Sequence, residues 1–167
     1  MNGKNREQHL TQLMHAGFEK SASSFSRFVN KPIRVTQAKS VIVQQNKAGV
    51  AEEKGLLHIL VTRVIGDLTG KSFLIFTQEE YDEITTAMSA AIGDKSLHEA
   101  FLIEIDNIIS APVIAELSRK LNIEIFGDVP HLVKIQAASL NDYIVGEMVH
   151  EEPGSIITNA LLQFDHK

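Results

Sequence analysis

The chain reads as an α+β domain, a largely antiparallel sheet covered on one side by long helices. Three observations predict it. Apolar residues recur at helical spacing over residues 8–29, 78–92 and 96–121. Alternating or continuous apolar runs suited to strands fill 33–43, 56–64, 71–77 and much of the last third of the chain. Glycine-bounded turns punctuate the strands. A chain of 167 residues suits one domain, 1–167, with one sizeable core, and no linker rich in Gly, Pro or Ser divides it.

Taken in order, residues 1–7 are polar and expected to be flexible. Leu10, Leu13, Met14, Phe18, Ala22, Phe25 and Val29 then form a helical stripe, and Pro32 marks its exit. Residues 33–43 are strand-like. Residues 44–55 are mostly polar and read as a loop or crossing. The strands 56–64 and 71–77, joined by Gly66-Asp67-Leu68-Thr69-Gly70, predict an antiparallel hairpin. Thr77 and Glu80 have the spacing of a capping box at the start of helix 78–92, and Gly93 ends it. Ser96 and Glu99 repeat the box before the helix ending near Leu121. Residues 123–126 are extended. Residues 133–138, 143–150 and 156–164 read as three further strands, with turns at 140–142 and 151–155. Residues 12–34 and 104–125 echo one another, each a helix that closes on an asparagine before an extended segment. That echo fits a pseudo-twofold internal repeat, and equally two ordinary amphipathic helices.

Composition narrows the function. The net charge of -5, with no Lys/Arg run, gives no general attraction to nucleic acid or an anionic membrane. The absence of cysteine removes thiol nucleophiles, disulfides and zinc-thiolate sites. The N-terminus lacks the apolar core of a signal peptide, and no apolar run reaches the ~18–20 residues that span a bilayer. A soluble, cytoplasmic protein is expected. His9, His15, His58, His98, His131, His150 and His166 show no ligand spacing, so no metal site is expected. The stretch Gly66 to Ser72 is one residue short of a nucleotide-binding P-loop and lies in a hairpin instead of before a helix.

The helix over 101–121 carries the candidate functional pair, which on spacing alone reads as either surface decoration or a site. Glu104 and Asn107 are about 60° apart on it. Ala100, Ala111 and Ala115 share their sector, while Leu102, Ile105, Ile109, Val113 and Leu117 lie opposite. A second molecule could approach this small-residue face closely. An amide offers a donor and an acceptor and can hold a water in a chosen direction, but it is a poor base. The pair therefore suits phosphoryl transfer, where positioning contributes heavily. Asp106 points toward the apolar side, where it is either exposed at a sheet edge or structurally bonded. Pro112 cannot donate to the Ile108 carbonyl and should kink the helix beside Asn107.

At these residues the sequence resembles the CheC/CheX family of phosphatases, which act on phosphorylated CheY response regulators. The family pattern is Asp or Ser, three residues, Glu, two residues, Asn, then about twenty-two residues and Pro. Glu104, Asn107 and Pro130 fit it. Ala100 stands at the first position and departs from it, and Glu99 is out of register. The hairpin around 66–76, the helix 78–92 and the last strand are also similar. The resemblance implies hydrolysis of the aspartyl phosphate on a CheY-like receiver domain. Asn107 would orient the water and Glu104 would pair with the partner's lysine. Ala100, Ala111, Pro112 and Ala115 would form the surface against the partner. The partner's own site would supply Mg2+, so this chain needs no cofactor. In the first helix, Gln12 and His15 occupy the positions equivalent to Glu104 and Asn107 and read as a degenerate second site. A single site resembles CheX, whose members form homodimers, while the C-terminal region is equally compatible with the monomeric branch of the family. The alternative is a non-catalytic binding or dimerisation module of the same fold in a chemotaxis or other two-component pathway.

Overall fold

The computed structural model describes residues 3–42, 54–92, 97–148 and 156–164. The elements run α1 (Gly3–Val29), β1 (Ile33–Ile42), β2 (Leu56–Gly66), β3 (Gly70–Thr77), α2 (Gln78–Ile92), α3 (His98–Leu121), β4 (Ile125–Gly127), β5 (His131–Gln136), α4 (Leu140–Met148) and β6 (Ile156–Phe164), with a 3-10 turn at Ala137–Ser139. The α+β class holds. Among the described residues every strand pairing is antiparallel: β1 with β6, and β2 with β3 on one edge and β4 and β5 on the other.

Strand β2 is buried on both sides from Leu57 to Val61 because successive side chains alternate between two cores. Leu60 points toward Phe25, Phe76, Leu102, Ile105 and Ile109, against α1 and α3. Leu57, Ile59 and Val61 pack on Leu140 and Ile144 of α4. Helices thus cover both faces of this sheet, where one covered face is predicted. The second cover comes from a segment whose sequence reads as a turn and a strand at 140–150. Tyr143, Ile144 and Val145 favour strands locally. Leu140 and Ile144, one helical turn apart, bury together against β2, and that burial outweighs the local preference. Lys71 on β3 fastens the end of this helix, its ammonium donating to the Glu147 backbone carbonyl at 2.8 Å and carboxylate at 2.6 Å.

The predicted hairpin turn is present. Gly66 adopts φ 120°, and a Cβ there would collide with the Glu124 carbonyl. The Asp67 amide donates to that carbonyl at 2.8 Å, and the Glu124 amide donates to the Asp67 carboxylate at 2.9 Å. The Thr77 box is formed as well, with the Glu80 amide donating to the Thr77 hydroxyl and the Thr77 amide to the Glu80 carboxylate. Helix α1 begins at Gly3, ahead of the predicted start at residue 8. Helix α3 begins at His98 after Leu97, and Ser96 of the second expected box lies outside the described residues. So do Gly93, most of the 44–55 segment, and the expected turn at 151–155.

The internal echo is a structural repeat. Asn30 and Asn122, 92 positions apart, are the non-glycine residues with positive φ among the described residues, at 52° and 53°. At the same offset, the Lys31 amide donates to the Ser26 carbonyl and the Ile123 amide to the Ser118 carbonyl. The Ser26 and Ser118 hydroxyls donate to the Lys31 and Ile123 carbonyls. Strands β1 and β4 begin at equivalent residues, Ile33 and Ile125. The register break in β1 between Thr36 and Lys39 matches the gap between β4 and β5. Helices α1 and α3 cross about this pseudo-twofold axis. Gly17 lies so near Val113 that a Cβ would stand 2.9 Å from its Cα, and the equivalent pair, Ser21 and Ile109, is joined by a hydroxyl-to-carbonyl hydrogen bond of 2.5 Å. The halves are interlocked, since β1 pairs with β6 and β4–β5 pair with β2.

Candidate functional site

Helix α3 is sorted by face. Leu102, Ile105, Asp106, Ile109 and Ser110 are buried toward the sheet and α1. Ala100, Glu104, Asn107, Ala111 and Ala115 are exposed, and Pro112 is half-buried. The apolar residues named from spacing set the helix's rotation, and the rotation aims Glu104 and Asn107 outward. Neither has a hydrogen-bond or ion-pair partner among the described residues. A carboxylate and an amide thus stand one turn apart on an open surface with alanines before and after them. Such a pair can accept from a cation and hold a water, while a flat neighbour comes close. The helix continues through Pro112 to Leu121. Pro130, the last residue of the sequence pattern, is buried between β4 and β5.

Behind the pair lies a polar seam. Asp106 is fully buried. Its carboxylate accepts from the Thr62 hydroxyl of β2 and, at 3.0 Å, from the Ser110 hydroxyl one turn on. The Ser110 hydroxyl also contacts the Ser72 hydroxyl of β3 at 3.3 Å. Burial pushes the Asp106 carboxyl above the ordinary range, against the lowering effect of Thr62 and Ser110. The structure settles the sequence ambiguity at this residue as a buried bonding role that ties the motif helix to the hairpin. Thr62 and Ser72 could not be assigned to this seam from sequence, because their pairing to α3 is long-range.

A second cluster clasps the two helices. Glu116 is buried and accepts from Arg119 on its own helix and from Lys20 on α1, each at 2.5 Å. Arg119 first, and Lys20 next, lower its carboxyl from the ordinary 4.5 to about 2. Gln12 and His15 are exposed on α1, and His15 Nδ1 lies 3.7 Å from the Glu19 carboxylate, one turn further along. The repeat places Gln12 and His15 at the positions equivalent to Glu104 and Asn107, as the sequence echo predicts. They lie on a different helix and do not join the α3 pair. Among the described residues no group of three or more His, Asp or Glu side chains could hold a metal ion, and no helix is long and apolar enough to cross a membrane.

No family model matches the sequence, and no curated protein matches it either. Solved structures do match the fold. The crystal structure of Thermotoga maritima FliY is similar with a TM-score of 0.72 at 13% identity, covering 99% of this chain and 85% of that one. The chemotaxis protein CheX from Desulfovibrio desulfuricans is similar with a TM-score of 0.57 at 15% identity, covering 91% of this chain and 99% of that one. The chain has the fold these two proteins share.

Proposed function

We propose that this chain is a phosphatase for the aspartyl phosphate of a CheY-like receiver domain, working in a chemotaxis or related two-component pathway in the cytoplasm. The observation that carries the reading is the outward pair Glu104 and Asn107 on the small-residue face of α3, without a partner among the described residues. The likeness in fold to a chemotaxis protein supports it.

In this reading the receiver docks against α3. Ala100, Ala111 and Ala115 let its surface come close, and half-buried Pro112 shapes the edge of that face. Glu104 pairs with a lysine of the receiver and sets the relative orientation. Asn107 enters the partner's site, where its carbonyl accepts from a water and its amide nitrogen donates to the phosphoryl oxygens or the water. The water is thereby held in line with the phosphorus for displacement of the carboxylate. Mg2+ belongs to the receiver's site and neutralises the phosphoryl oxygens. The products are the free receiver and inorganic phosphate. Gln12 and His15 do not reproduce the pair, so α3 is the working side.

The second reading, a binding module without turnover, is favoured by one observation. Exposed Ala100 supplies neither the hydroxyl nor the carboxylate of the family pattern. A panel of phosphorylated receivers separates the two. Accelerated release of phosphate by wild type, weakened by Glu104→Ala through a raised KM, supports the phosphatase. Tight binding of a receiver whose phosphate persists at its intrinsic rate supports the binding module.

A further inference from the structure

We propose that Leu97, Phe101 and Phe28 form the apolar anchor that holds one receiver domain on the α3 face, and that the equivalent α1 face holds none. The proposal rests on the reading of Glu104 and Asn107 given above. Leu97 is 45% exposed and Phe28 40% exposed. The Phe28 ring, on α1, lies against Phe101 of α3 with centroids 5.1 Å apart. Leu97 and Phe101 precede Glu104 by two turns and one turn, within about 60° of it around the helix. Single exposed apolar residues are ordinary, whereas a contiguous group beside polar, unpartnered side chains marks an interaction surface. Phenylalanine is among the residues enriched at the cores of protein interfaces.

The repeat provides an internal control. The backbone positions equivalent to Leu97 and Phe101 carry Asn5 and His9, and the position equivalent to Phe28 carries Lys120. The fold therefore does not need apolar residues at these places, since its other half is built with polar ones. The same comparison replaces the small residues Ala111 and Pro112 with Glu19 and Lys20. On α1 the approach that alanine permits is blocked by longer charged side chains. Apolar anchor, close approach and the Glu-Asn pair coincide on one face and are all missing from the other. Leu97 lies about 80° from Asn107 around the same helix, and Phe28 reaches this side of the molecule from α1 against Phe101, so a domain-sized partner seated over Asn107 also reaches the anchor.

The test uses a receiver that the chain dephosphorylates, held in its phosphorylated form by beryllium fluoride and Mg2+, and titrated calorimetrically. Phe28→Lys and Leu97→Asn are expected to weaken binding by about tenfold or more each. His9→Ala and Lys120→Ala are expected to leave it unchanged, with one receiver bound per chain. Thermal melts confirm that each variant is folded. Unchanged affinity in both Phe28→Lys and Leu97→Asn overturns the anchor, as does binding of two receivers per chain. Self-association of the wild type that is lost in Phe28→Lys, with receiver affinity unchanged, would assign the patch to a second copy instead. Phosphate release by Asn107→Ala reports separately on the phosphatase. Its loss alongside normal binding by Phe28→Lys removes only the anchor, whereas failure of every receiver to bind or turn over removes both.

Discussion

Two buried carboxyl groups on α3 respond to pH in opposite senses. Glu116 has its folded pKa lowered to about 2 by Arg119 and Lys20. Its contribution to stability is present above the ordinary carboxylate value and is lost as pH falls from about 4.5 toward about 2. Urea denaturation across that window should show a shallower loss of stability in Glu116→Gln than in wild type, and parallel curves would contradict the assignment. Asp106 has its folded pKa raised by burial, so its effect runs the other way, with stability falling as pH rises through and above 3.8. Asp106→Asn, which keeps hydrogen-bonding capacity without the charge, should be at least as stable as wild type at pH 7. Asp106→Ala strands the Thr62 and Ser110 hydroxyls and should cost about 1–3 kcal/mol in the same measurement. At this scale the exposed pair was legible in the sequence, because a helical period assigns sides without any knowledge of the partner element. The seam was not, because a lone Asp on an apolar side fits a frayed sheet edge as well as a buried bond to a strand 44 positions away.

Elements whose signals are local were readable from sequence. Helix α2 starts where Thr77 and Glu80 indicate, and the box holds two backbone donors. Thr77→Ala should therefore cost about 1 kcal/mol by urea denaturation, and a change near zero would show that β3 alone fixes the helix start. The hairpin followed from its glycines. Helix α4 did not follow, because its Tyr-Ile-Val run has strand character until Leu140 and Ile144 are seen to bury together. The α1–α3 crossing has a similarly tertiary cause. Nothing local distinguishes Gly17 from a tolerated helix glycine, yet Val113 leaves no room for a Cβ there. Gly17→Val should push the helices apart and cost about 1–3 kcal/mol, measured by denaturation; full stability would mean the crossing is looser than described.

The whole molecule is organised about a repeat whose two long helices differ in exposed side chains more than in backbone. Asparagines at positive φ, serine caps and a strand irregularity recur 92 residues apart, while the exposed side chains differ between the two helices. The sequence carried more of this than rhythm alone: Ser26-Arg27 and Asn30 have the same spacing as Ser118-Arg119 and Asn122. The exchange of strands between the halves was beyond it, since β1 with β6 and β2 with β4 and β5 are long-range pairings that no local pattern marks. In the proposed function one half works on a phosphorylated partner through Asn107. The most direct test is single-turnover loss of phosphate from a receiver domain in the presence of excess protein and Mg2+, wild type against Asn107→Ala. Acceleration by wild type is expected and, for Asn107→Ala, a return to the receiver's intrinsic rate while the complex still forms. Acceleration that survives Asn107→Ala would contradict the proposed function.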